Sequence, residues 1–85
     1  MKILDAAIEG YNAEDGATSP YLATSPNDAG WRIGRWMRDT GRTLPRDCRT
    51  SRGDTYHIND MKVRLDYTRT MIRPGRPTCA IERID

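Results

Sequence analysis

Residues 55–68 constrain the fold most. Thr55-Tyr56-His57-Ile58 and Met61-Lys62-Val63-Arg64-Leu65-Asp66-Tyr67-Thr68 flank Asn59-Asp60, and polar and apolar residues alternate on both sides. Successive side chains on a strand point to opposite faces, so this is the pattern of a half-buried β-hairpin. Asn and Asp both tolerate positive φ, which suits a two-residue type I′ turn. Such a turn sets Ile58 opposite Met61 and Tyr56 opposite Val63, with Leu65 and Tyr67 extending the same face. His57, Lys62, Arg64, Asp66 and Thr68 fall on the other face. Arg73-Pro74-Gly75-Arg76 reads as a turn, with Pro preset for its second position and Gly free at its third. Thr78 to Ile84 then reads as a third strand, with Cys79 and Ile81 facing one way and Ala80 and Ile84 the other.

The first half has a helical period instead. From Ile3 to about Asn12, Leu4, Ala7, Ile8 and Tyr11 recur at i, i+3, i+4, i+7. Gly16 is a plausible stop, and Pro20 disfavours helical geometry at Ser19. Ser25-Pro26-Asn27-Asp28 is the sharpest boundary: N-cap, Pro at the first helical position, and an acid at the third. The spacing predicts a helix from Pro26 to about Thr40, stopped by Gly41. Its stripe of Ala29, Ile33, Trp36 and Met37 is expected to pack on the first helix, and Trp31, Arg35 and Arg38 fall on nearly the opposite side. Residues 43–54, between the helices and the hairpin, read as a basic loop.

The fold expected is therefore α+β: one domain over residues 1–85, with an N-terminal helical hairpin packed on a small three-stranded antiparallel sheet over 55–84. A chain of 85 residues buries one thin core and has little left to enclose a pocket. No serine, cysteine or carboxylate pair stands in a recognisable catalytic motif, and His57 has no paired acid or nucleophile. The expectation is a protein that is not an enzyme and needs no cofactor. Two Cys and one His fall short of a four-ligand zinc set, so no metal is expected. No apolar stretch approaches 18 residues and the N-terminus is no signal peptide, so the chain is expected in the cytoplasm, away from membranes, with Cys48 and Cys79 as free thiols.

Charge gives the functional lead. Residues 1–30 hold one Lys against five acids, and residues 31–85 hold thirteen basic residues against seven acids. Arg32, Arg35, Arg38, Arg42, Arg46, Arg49 and Arg52 form a nearly continuous basic run, and Arg has the planar fork that suits phosphate. These seven are the candidate nucleic-acid-binding residues, with Trp31 and Tyr21 as candidate stacking rings. For Trp31 a second reading stands beside that one: it folds over the loop onto Pro20 or Tyr21 as core.

Gly10-Tyr11, Ala13, Gly16, Pro20-Tyr21, Trp31, Gly34 and Trp36 form a sparse pattern over about residues 3–42 that resembles the ribosome modulation factor family. The resemblance implies two short antiparallel helices joined by the Pro-Tyr loop, and binding to ribosomal RNA. Two departures stand out: residues 1–16 carry one Lys and four acids where the family is strongly basic, and Arg35 separates Gly34 from Trp36. RNA or a ribosome is the expected partner. The alternative is a phage- or prophage-type inhibitor or adaptor that binds a host or defence protein complex. A homodimer is open, since an open sheet has two edges.

Overall fold

The computed structural model describes residues 2–73 and 76–85, the side chains of 67–79 excepted. Two helices, α1 (Ile3–Asn12) and α2 (Pro26–Asp39), precede four strands: β1 (Cys48–Thr50), β2 (Thr55–Ile58), β3 (Met61–Arg73) and β4 (Arg76–Arg83). The strands form one antiparallel sheet in the order β1-β2-β3-β4. The class is α+β, as the two periodicities require.

The expected helix boundaries of α2 rest on visible chemistry. Ser25 Oγ accepts the Asp28 N–H at 3.0 Å, with Pro26 at the first position. At the other end Gly41 takes φ +73°, the Arg42 N–H reaches Met37 O at 2.8 Å, and the Gly41 N–H reaches Arg38 O at 3.0 Å. This is a Schellman cap, and its left-handed residue is why the helix stops at a glycine.

The contact between the helices differs from the expected one. Spacing alone puts the Ala29-Ile33-Trp36-Met37 stripe against α1. In the structure Ala29, Ile33 and Met37 pack in one core with Cys48, Tyr56, Ile58, Val63 and Leu65 of the sheet, and Ala7 is the α1 member. The helices instead meet backbone to backbone. A Cβ on Gly34 would stand 1.9 Å from Ala7 O, one on Gly10 2.1 Å from Trp31 O, and one on Gly30 2.6 Å from Ile3 O. Glycines at 30 and 34 leave a groove on α2 into which α1 sinks, so the larger side chains are free to face the sheet.

The sheet has four strands, not three, because part of the expected loop 43–54 is β1. Cys48 pairs with Ile58, Arg49 with His57, and Thr50 with Tyr56. Three residues are too few to show a period of two. What fixes them comes from elsewhere: Pro45 is fully buried, and Asn59 Oδ1 accepts the N–H groups of Arg46 (2.7 Å) and Asp47 (3.2 Å). The hairpin register is as expected, with Ile58 opposite Met61 and Tyr56 opposite Val63. The turn is not type I′, since of its two central residues only Asn59 has positive φ (52°). Ile81 pairs with Leu65 on the core side and Ala80 with Asp66 on the other. The turn expected at Pro74-Gly75 lies outside the described residues, as do the facings expected of Tyr67, Thr68 and Cys79.

Candidate nucleic-acid interface

The seven arginines of the basic run do not form one patch. Arg32, Arg35 and Arg38 of α2, and Arg42 just past its end, each make contacts within the chain. Arg32 Nε lies 2.9 Å from Oδ2 of Asp28, whose side chain is buried and whose Oδ1 has no hydrogen-bond partner. Arg35, with only 13% of its side chain exposed, donates to Ala13 O at 2.6 Å and meets Asp15 at 3.5 Å and Asp39 at 3.3 Å. Arg38 donates to Tyr11 O at 3.1 Å and Ala13 O at 2.8 Å. Arg42 lies over the Trp36 ring, 4.5 Å from its centroid, and its carbonyl accepts the Tyr11 hydroxyl at 2.8 Å.

Helix geometry explains this use. The last carbonyls of a helix have no partner within it, and the end carries a partial negative charge. α1 has no basic residue in its last turn. Arg35 and Arg38, from the neighbouring helix, supply both the donors and the charge.

Arg46, Arg49 and Arg52 lie on or beside β1, and all three are exposed. Arg49 stands 3.6 Å from Asp47 with both side chains more than half exposed, a pairing weak in water. Register then brings in residues from other strands. Arg49 pairs with His57 and His57 with Lys62, which makes one cross-strand row on the face turned away from the helices. The next row on that face is Thr55, Arg64 and Glu82, in which Arg64 forms an ion pair with Glu82. Lys62 and Arg64 lay on the expected outer face of the hairpin; Arg49 joins them only because 48–50 is a strand.

The rings expected to stack are engaged. Trp31 is 6% exposed, so the structure takes the core reading. The Tyr21 hydroxyl donates to Glu9, and that bond, with the Glu9 charge, pushes its pKa up to about 12. Burial likewise pushes the free Cys48 thiol up to about 12. Among the described residues no group of three His, Cys, Asp or Glu side chains could hold a metal, and no helix is long and apolar enough to cross a membrane.

The distribution of net charge sharpens the picture. Residues 2–66 carry ten cations and ten acids. Residues 67–79 carry Arg69, Arg73 and Arg76 and no acid. This segment belongs to the β3–β4 ladder beyond the reach of β2, where Met71 pairs with Thr78 and Arg73 with Arg76. The surplus that makes the chain basic thus falls, in sequence, within the part of β3 and β4 that extends past β2. No family profile matches the chain, and neither a curated protein nor a solved structure does.

Proposed function

We propose that the chain is a small non-enzymatic binding module that holds RNA by its phosphates through the outer face of the sheet. The observation that carries this is the Arg49-His57-Lys62 row on the face turned away from the helices, with Arg49 and the neighbouring Arg64 exposed and His57 and Lys62 part-buried. In sequence, the strand that supplies Lys62 and Arg64 leads on to Arg69, Arg73 and Arg76, in a segment that contains no acid. Phosphate contacts of this kind give affinity without sequence readout. The resemblance of residues 3–42 to ribosome modulation factor makes ribosomal RNA the first RNA to try.

The test is a fluorescence-anisotropy titration of a labelled 20-nucleotide RNA at increasing KCl. Log K should fall with log salt by about 0.7 for each phosphate engaged on a single strand. The double variant Arg49→Gln/Lys62→Gln should lower the slope by about 1.4, the loss of two such contacts. Absence of binding at low salt, or a slope unchanged in the double variant, contradicts the reading.

A further inference from the structure

A second surface, at the open end of the helical hairpin, has the opposite character. An open groove of about 430 Å³ runs between the end of α1, the following loop and the start of α2. Ala13, Ala17, Pro20 and Trp31 give it an apolar lining, and Glu9, Asn12 and Thr18 are its polar members. Leu22, in the same loop, is 79% exposed, the most exposed large apolar side chain described.

Charge selects the occupant. Residues 2–24 carry Asp5, Glu9, Glu14 and Asp15 against Lys2 alone. Arg35 and the exposed Arg38 reach this end of the hairpin, with their guanidinium groups turned onto Ala13 O, Tyr11 O, Asp15 and Asp39. Glu9, Glu14, Asp15 and Asp39 stand against these two cations, a balance that favours a cationic ligand. The apolar lining favours an apolar side chain, and the exposed Asn12 and Thr18 offer hydrogen bonds to an extended backbone.

We infer that this groove docks a linear segment of a partner protein in which Lys or Arg alternates with an apolar residue. The groove lies on the helical hairpin and the cationic row on the outer sheet face, so the two sites are separate and this inference does not depend on RNA binding. Together they would let one small chain bridge a polyanion and a basic protein.

The experiment is an NMR titration of the ¹⁵N-labelled full chain with a synthetic decapeptide alternating Lys or Arg with Leu, and with its Asp/Glu counterpart. The cationic peptide should shift the amides of Glu9, Asn12, Ala13 and Thr18 and the Trp31 indole, with Kd below about 1 mM. Ala17→Trp, which fills the groove from an exposed position, and Glu14→Lys should each weaken binding about tenfold while leaving the remaining spectrum folded. Equal binding of the acidic peptide, shifts spread over the surface, affinity unchanged in Ala17→Trp, or no binding at millimolar peptide overturns the proposal. Concentration-dependent shifts of the same amides without peptide would assign the groove to a second copy and overturn it equally.

Discussion

The helical half and the sheet half use the same residue type in opposite ways. In and just after α2, arginines are bonded within the chain: Arg35 and Arg38 close the end of α1, Arg32 pairs with the buried Asp28, and Arg42 covers Trp36. Around β1 and on the outer sheet face they are exposed, at Arg46, Arg49 and Arg64. Counting cations along the chain therefore measures two different quantities. One is the cost of completing a helix end that lacks its own basic residues; the other is charge available to a partner.

Substitutions separate the two halves, beginning with the largest effect. Gly34→Ala should cost about 3 kcal/mol or more in denaturant unfolding, because the new Cβ meets Ala7 backbone that has no room to yield. Retention of wild-type stability would mean the helices are not in backbone contact. Next, Arg35→Ala should cost about 1 kcal/mol by removing one of the two guanidinium donors to the Ala13 carbonyl together with a largely buried side chain. Arg52→Ala, at an exposed position beside β1, should change stability by less than about 0.5 kcal/mol. Similar costs for the two would erase the distinction.

A further effect is in pH. The unfolded Cys48 thiol titrates near its ordinary 9.0 while the folded one is pushed up to about 12 by burial. Between those values the unfolded state has lost a proton that the folded state keeps, so this contribution is full below pH 9 and is lost as pH rises toward 12. In a Cys79→Ser background, Cys48 should react with a thiol reagent at pH 8 only at the rate of unfolding. Fast reaction would place the strand edge in solvent.

Local chemistry was legible in the sequence where one residue decides it. Ser25, Pro26 and Gly41 fix α2, and alternation about Asn59 fixes the register of β2 on β3. Two features were not legible, for the same reason: both depend on partners distant in the chain. β1 is a strand because Asn59 holds residues 46 and 47 and because Ile58 lies opposite Cys48. Arg35 and Arg38 are turned onto the fold because α1 ends, at its cap Ala13, without a cation of its own. Helical spacing puts Arg35 and Arg38 with Trp31 on the side opposite the Ala29 stripe, and carries no sign that the last carbonyls of α1 stand beside it. Gly10, Trp31 and Gly34, which carry part of the resemblance to ribosome modulation factor, are helix-packing positions here. That signature speaks to the hairpin more than to any grip on RNA.

One measurement sets the two halves against each other directly: RNA affinity at low salt for Arg49→Gln/Lys62→Gln and for Arg35→Gln/Arg38→Gln, each held below its unfolding temperature. The outer-face pair should bind at least tenfold more weakly than wild type while remaining as stable. The α2 pair should bind as wild type does and unfold at lower denaturant. Loss of affinity in the α2 pair, with the outer-face pair unaffected, would contradict the account.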